Sequence, residues 1–151
     1  NNEDTLKDKN ASYLEIAEFI QNYGIDIKKD LEQLWKRIIF NIAVSNTDDH
    51  LRNHGFILQN GGWRLSPAYD MNVSIDKDRL SLNIDMDDNS LDYKLAFNVG
   101  KYFQLEESQM TKILNNIIEN VKTWETIANK IGIPRKEQVL MERAFRTNLK
   151  I

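Results

Sequence analysis

The sequence predicts a mainly α-helical domain with a small β-hairpin inserted beside a polar loop. Three observations lead to this fold class. Apolar residues recur at helical spacing over most of the chain. One Asn-Gly pair, at 60–61, separates two short apolar runs, as in a tight hairpin. A dense polar stretch, residues 45–53, follows the most apolar helical segment. The 151 residues fit one domain.

Composition excludes several classes of function. The net charge of -3 argues against a broad nucleic-acid-binding face, which needs a basic surface. No apolar run approaches about 18 residues, so we expect no membrane partner. The absence of cysteine excludes disulfides and thiolate chemistry and fits the reducing cytoplasm, where we place the protein. Residues 1–10 lack the apolar core of a signal peptide and begin without Met, as in a piece of a longer protein.

The first two helices are predicted over residues 11–23 and 27–44. Ser12 is expected to cap the first helix, and Gly24 to end it in the left-handed conformation that glycine tolerates. Asp26 is the predicted cap of the second helix. That helix carries a wide apolar stripe, which requires burial against other helices.

The middle of the chain contains the β signals. Residues 55–58 and 63–65 flank the Asn-Gly turn and predict a hairpin. Residues 80–84 alternate in polarity and predict a second β segment. The acidic run 85–92 is interpreted as a surface loop, because it lacks the glycine and closing glutamate of a calcium-binding EF-hand.

The remaining sequence is predicted to be helical. Residues 93–102 form a short helix, and residues 106–131 form one long helix that Gly132 terminates. Pro134 opens a last helix, where its missing N–H is tolerated. That helix is expected to run to the C-terminus. Its predicted apolar face comprises Val139, Leu140, Ala144 and Phe145.

The polar loop contains the residue types that phosphoryl transfer requires. That reaction needs a carboxylate to accept the proton of the attacking hydroxyl and oxygen ligands for Mg²⁺. Asn53 lies five positions after Asp48, which is also the spacing between the base and the metal-binding asparagine of protein kinases. Asp70 follows the hairpin and supplies a second carboxylate. Asp49 fits the spacing less well and is interpreted as a loop-stabilising or backup carboxylate at the cofactor site.

Neighbouring residues receive weaker interpretations. His50 is a candidate for orienting the loop or touching the γ-phosphate, although a structural role is favoured. His54 is expected to have no chemical role, and Tyr69 to pack beneath the Asp70 loop. Arg52 and Arg64 are interpreted as surface cations. The three tryptophans, Trp35, Trp63 and Trp124, are expected to serve packing.

Together these motifs resemble the C-terminal lobe of HipA-type serine/threonine kinases, the toxins of bacterial HipA–HipB toxin–antitoxin systems. The resemblance rests on Phe40-Asn41, on residues 46–53 with the pattern T-D-x-H-x-x-N, and on residues 63–70 ending in Pro-Ala-Tyr-Asp. It implies a kinase-like helical lobe with Asp48 as catalytic base and His50 as the catalytic-loop histidine. It also implies that Asn53 and Asp70 are Mg²⁺ ligands.

The resemblance further implies cofactors and partners. These are Mg²⁺ and ATP, a HipB-like antitoxin that links the toxin to DNA indirectly, and a protein substrate, with an aminoacyl-tRNA synthetase as one example. A nucleotide-binding N-terminal lobe is also implied, and nothing in these residues matches its glycine-rich loop or its lysine. We therefore expect little activity from the chain alone. A metal-dependent hydrolase built on residues 48–50 and 70, and a non-catalytic helical binding module, are the alternative predictions.

Overall fold

The computed structural model describes residues 11–149 and confirms a mainly helical fold with one small hairpin. We number the α-helices in chain order. Their bounds are α1 Tyr13–Tyr23, α2 Ile27–Val44, α3 Tyr93–Asn98, α4 Glu107–Val121, α5 Trp124–Lys130 and α6 Arg135–Met141. Short 3-10 turns cover Leu51–Asn53, Gly100–Phe103 and Glu142–Ala144. No helix within 11–149 is both long and apolar enough to cross a lipid bilayer.

Helix α2 lies at the centre of the fold and contributes more residues to the core than any other helix of residues 11–149. It packs against α1, α3 and α4. Its apolar stripe is wholly inaccessible to solvent, at Leu31, Leu34, Trp35, Ile38, Ile39 and Ile42. The Trp35 indole N–H donates to the carbonyl of Ala96 at 2.9 Å, which satisfies its one polar atom. The predicted bounds of this helix and the packing role of Trp35 are confirmed.

The hairpin forms where the sequence predicts it. Strands β1, Phe56–Gln59, and β2, Gly62–Leu65, pair antiparallel around a two-residue turn, and Gly61 takes a φ of +97°. The buried Asp30 of α2 holds β2 in place. Its carboxylate accepts two bonds from Arg64, at 3.0 and 3.1 Å, and one from the Leu65 N–H at 2.9 Å. The hairpin is thereby fixed to the helix that leads into the polar loop.

The C-terminal helices differ from the prediction. The expected helix over 106–131 is interrupted at Lys122 and Thr123, where the Thr123 hydroxyl donates to the carbonyl of Asn120 at 2.7 Å. Such a local bond competes with helix hydrogen bonding. The last helix ends at Met141, and Val139 and Leu140 are more than half exposed, so that part of the prediction was wrong.

Several smaller predictions also need correction. The side chain of Asp26 makes no capping hydrogen bond. Gly24 has a φ of -76°, so it is not left-handed, and a Cβ there would lie 2.5 Å from the Ile20 carbonyl oxygen. Close approach, rather than backbone conformation, therefore favours glycine. Residues 80–84 form no strand, and of these residues Asn83 alone makes an isolated bridge, to Ser12; residues 93–102 divide into α3 and a 3-10 turn.

Other local predictions are confirmed. The Ser12 hydroxyl caps α1 by accepting from the N–H of Leu14. Gly132 ends α5 with a φ of +84°, and Pro134 immediately precedes α6. Trp124 stacks on Phe145 with ring centroids 4.3 Å apart, which confirms its packing role.

Candidate functional site

The polar loop begins at the C-terminal end of helix α2. Ser45 terminates that helix with a left-handed backbone, φ 55° and ψ 47°. The next residue, Asn46, is anchored back to the helix, because its backbone N–H and its side-chain amide both donate to Asn41, at 2.9 and 3.0 Å. The loop is thus a direct extension of the most buried helix, which is how a rigid scaffold presents functional side chains.

Asp48 and His50 contact each other in the loop and differ in their exposure to solvent. The Asp48 side chain is 61% exposed, whereas that of His50 is 10% exposed. His50 Nε2 lies 2.9 Å from Asp48 Oδ1. An imidazole at this distance restricts the orientation of the carboxylate while leaving it open to solvent. The pair has the proximity and access that general base chemistry requires.

Asn53 and Asp70 meet beside this pair. The Asn53 amide donates to Asp70 Oδ2 at 3.3 Å, and Asn53 Oδ1 accepts from the backbone N–H of His50 at 2.8 Å. Asp70 is exposed, with a φ of 55° that aspartate tolerates better than most residues, and its second oxygen accepts from Asn72 at 3.1 Å. Contacts therefore run continuously from Asp48 through His50 and Asn53 to Asp70.

The Asn53 and Asp70 side chains fit the chemistry of a magnesium site. Mg²⁺ is held by hard oxygen donors, usually one or two carboxylates with water and substrate phosphate. Asp70 presents a carboxylate at the surface, and the adjacent Asn53 provides an amide oxygen. These are the two residues predicted as metal ligands, and the fold brings them into contact.

Asp49 points in the opposite direction from Asp48 and lies inside the protein. Its Oδ2 accepts three hydrogen bonds, from the Tyr13 hydroxyl at 2.6 Å, the Asn41 amide at 3.0 Å and His54 Nε2 at 2.7 Å. Burial, reinforced by the charge of Asp49, raises the pKa of the Tyr13 phenol, so the hydroxyl keeps its proton and donates it. This position matches the loop-stabilising interpretation of Asp49.

Arg37 completes what we call the buried polar cluster, which comprises Tyr13, Arg37, Asn41, Asp49 and His54. An Arg37 Nη lies 3.2 Å from His54 Nδ1. Because guanidinium only donates, Nδ1 must accept, and the ring proton lies on Nε2 facing Asp49. Arg37 also donates to the carbonyl of Ser66, and burial lowers its pKa. One cation thus connects the loop to the strand that leads to Asp70.

Sequence reasoning missed most of this cluster. His54, expected to have no chemical role, is a central member, and nothing in the sequence singles out Tyr13 as a partner of the loop. A usable signal was present on helix α2. Arg37, Asn41 and Ser45 recur every four residues and form a polar stripe alongside the apolar one. The partners of that stripe depend on tertiary contacts and are not readable from spacing.

An open cleft of about 1000 Å³ adjoins the Asp48 side of the loop. Its walls are the polar loop, residues 74–81 and the segment after α6. Ser74 N–H donates to the Ser45 carbonyl at 3.2 Å, and the Ser81 hydroxyl donates to the Thr47 carbonyl at 2.6 Å. Five cationic side chains and three carboxylates line the cleft: Arg52, Lys77, Arg79, Arg143 and Arg146, with Asp48, Asp76 and Asp78.

Three further residues have roles that the sequence did not indicate. Arg64 is not a simple surface cation, since it pairs with the buried Asp30. Arg52 lines the cleft. Tyr69 is 46% exposed rather than packed, and its hydroxyl donates to the Arg52 carbonyl at 2.5 Å. Tyr69 therefore joins the segment around Asp70 to the polar loop.

The geometry does not support the hydrolase arrangement. Across residues 11–149, no three His, Cys, Asp or Glu side chains converge as a metal-binding group. Asp49, one of the four residues proposed for that site, is directed into the buried polar cluster. The carboxylates of residues 48 and 49 therefore lie on different sides of the loop.

Fold and site together define a helical domain that presents a carboxylate, an imidazole and an amide-carboxylate pair beside a cationic cleft. The family model for the HipA-like C-terminal domain matches residues 2–137, which is most of the chain. The chain therefore belongs to the HipA-like C-terminal domain family. A comparison with curated proteins returned no match.

Proposed function

We propose that this domain is the C-terminal catalytic lobe of a HipA-like, Mg²⁺- and ATP-dependent serine/threonine protein kinase, the toxin component of a cytoplasmic toxin–antitoxin system. One observation carries the proposal. Hydrogen bonds link Asp48, His50, Asn53 and Asp70 in series, through the His50 side chain to Asp48 and through the His50 backbone N–H to Asn53, and the Asp48 carboxylate opens into a cleft. Membership of the HipA-like family supports it.

In the proposed reaction, a serine or threonine hydroxyl of the substrate enters the cleft beside Asp48. Asp48 accepts the hydroxyl proton as the oxygen bonds to the γ-phosphorus and the bond to the β-phosphate oxygen breaks. His50 acts as a positioning residue, because its contact with Asp48 Oδ1 directs Oδ2 toward the substrate. Asp49 has no contact with substrate in this scheme and maintains the loop from below.

Asn53 and Asp70 would hold Mg²⁺, which when bound neutralises charge on the phosphates. Asp70 supplies the exposed carboxylate. Asn53 is already ordered by the His50 N–H, so its oxygen is presented at a fixed place. This hydrogen bond joins Asn53 to the segment that carries the proposed base, and Asp70 approaches that segment from beyond the hairpin.

We propose that the nucleotide is gripped by a separate N-terminal lobe and that a HipB-like antitoxin is a further partner. The residues described here offer a base and metal ligands, and the phosphate-cradling loop and its lysine are expected from that lobe. A protein substrate, for instance an aminoacyl-tRNA synthetase, is the proposed phosphate acceptor. The 151-residue chain alone is expected to transfer phosphate weakly or not at all.

Radiolabelled ATP provides the direct test. In a protein that carries both lobes, Asp48→Asn should lower the rate of phosphate transfer by about 100-fold to 10,000-fold, the usual contribution of a general base. Asp87→Asn is the matched control, because Asp87 is an exposed carboxylate outside the cleft, and its rate should stay within about threefold of the unmodified protein. Full activity of Asp48→Asn, or robust Asp48-dependent transfer by the chain alone, would contradict the respective proposals.

A further inference from the structure

The open cleft is a feature that phosphoryl transfer itself does not explain. Mg²⁺ and phosphate chemistry involve Asn53 and Asp70, and neither residue lines the cleft. Asp48 does line it, so a hydroxyl that reaches Asp48 brings its flanking groups into this space. The cleft walls therefore face whatever surrounds the acceptor hydroxyl.

Three exposed arginines reach the cleft from two distant parts of the chain. Arg79 belongs to the segment 74–81, whereas Arg143 and Arg146 follow helix α6. Each is held by an uncharged oxygen. Arg79 donates to the side-chain amide of Asn89 at 3.3 Å, Arg143 to the carbonyl of Ile75 at 3.5 Å, and Arg146 to the hydroxyl of Ser45 at 3.3 Å.

These contacts orient the guanidinium groups, and none of the three is an ion pair. Within residues 11–149, no carboxylate oxygen lies within 4 Å of a guanidinium nitrogen of Arg79, Arg143 or Arg146. By contrast, Arg64 is neutralised by Asp30 at 3.0 Å, and Arg135 lies 3.9 Å from Glu125. A cleft lined mainly by one sign of charge concentrates counter-charged ligands. Here the positive charge is local, because the whole chain carries a net charge of -3.

We propose that this cleft binds an acidic polypeptide segment, in which aspartate or glutamate side chains flank the serine or threonine that Asp48 deprotonates. The inference rests on the proposed kinase function and specifies its substrate class. Guanidinium groups from two walls suit carboxylates on both sides of an acceptor residue. Nucleic acid is disfavoured, because the net charge of -3 argues against the broad basic face that a phosphate backbone requires.

Peptide binding tests the proposal without requiring catalysis. The probe is a fluorescein-labelled peptide with a central serine flanked by Asp and Glu, and its control carries Asn and Gln at the same positions. Fluorescence anisotropy with the 151-residue chain should show binding of the acidic peptide at least about fivefold tighter than the amide control. Arg79→Gln and Arg143→Gln should each weaken that binding about twofold to fivefold, with less effect at high salt.

Arg135→Gln is the matched control. Arg135 is an exposed arginine on α6 outside the cleft, and its replacement should leave the affinity unchanged. Equal binding of acidic and amide peptides, equal loss with Arg135→Gln, or preference for a single-stranded oligonucleotide over the acidic peptide would each overturn the proposal. Circular dichroism checks that each variant folds. If the peptide binds as expected and Asp48-dependent transfer is absent, the kinase proposal fails while the binding site stands.

Discussion

Asp48 and Asp49 are adjacent carboxylates in one loop, and their surroundings differ almost completely. The Asp48 side chain is 61% exposed and has His50 beside one oxygen, whereas the Asp49 side chain is 6% exposed and accepts three hydrogen bonds through a single oxygen. A solvent-exposed carboxylate is accessible to a substrate hydroxyl and can accept its proton. A buried and fully bonded carboxylate instead fixes its neighbours, because releasing them leaves polar groups unsatisfied.

Under the proposed function, Asp48 of this loop takes part in proton transfer, whereas the adjacent Asp49 stabilises the loop. Tyr13 of α1, Asn41 of α2 and His54 after the loop all converge on Asp49. Asp48 therefore projects from a backbone segment that the hydrogen bonds of Asp49 keep in place. Substitutions at the two positions should therefore affect different measured quantities, the transfer rate at Asp48 and the free energy of unfolding at Asp49.

The largest expected effect on stability is at Asp49. Asp49→Ala should lower the free energy of unfolding by about 3–5 kcal/mol, because it leaves buried donors and the Arg37 charge without their anion. Urea denaturation measures the change. Asp48→Ala is the control, with an expected loss under about 1 kcal/mol, as for an exposed pair. Similar losses at both positions would contradict the inference that Asp49, and not Asp48, stabilises the fold.

A smaller effect is expected at Tyr13, which touches Asp49 through one hydroxyl. Tyr13→Phe keeps the ring in the core and deletes the bond to the carboxylate together with the bond that the hydroxyl accepts from the Asn41 amide, so the free energy of unfolding should fall by about 1.5–3 kcal/mol. Tyr23→Phe removes a hydroxyl from a tyrosine that is 58% exposed and should change stability by less than about 0.5 kcal/mol. A negligible change for Tyr13→Phe would mean that Asp49 is held without it.

The smallest effect is expected where the cleft wall meets the loop. Ser81→Ala deletes the hydrogen bond to the Thr47 carbonyl and should cost about 1 kcal/mol. Because Ser81 connects the cleft wall to the loop that carries Asp48, affinity for the acidic peptide should also fall, by about twofold. Ser108→Ala, in the exposed first turn of α4, should change neither quantity appreciably. Unchanged affinity in Ser81→Ala would show that this bond does not shape the cleft.

Features determined by nearby residues were predictable from the sequence. The bounds of α2 follow from its apolar period, the hairpin from Asn60-Gly61, and the contact between Asn53 and Asp70 from motif spacing and the hairpin between them. In each case the determining residues lie within about 20 positions of one another. Local propensity and periodicity act over that range.

Features determined by distant residues were not predictable. The break between α4 and α5 is a local exception: it leaves the apolar period almost intact, and the Thr123 hydroxyl at the break bonds the Asn120 carbonyl only three positions away. The buried polar cluster joins Tyr13 to Asp49 across 36 positions. The cleft arginines at 79 and 143 approach one space only once the chain has folded. A polar residue on the apolar face of a predicted helix indicates that it has a hydrogen-bonding partner within the fold. Its position in the sequence does not identify that partner.

The return of the C-terminal segment also affects the order of folding. The Ser45 hydroxyl donates to the Ala144 carbonyl across 99 positions, and the Arg146 N–H donates to the Ala43 carbonyl at 2.8 Å. Contacts of such sequence separation form slowly, and during synthesis they wait until residue 146 has emerged. A nascent chain that has reached residue 140 already contains Asp48, Asn53 and Asp70, yet it lacks one wall of the cleft. The proposed substrate cleft would therefore be completed only after the proposed catalytic residues have been made.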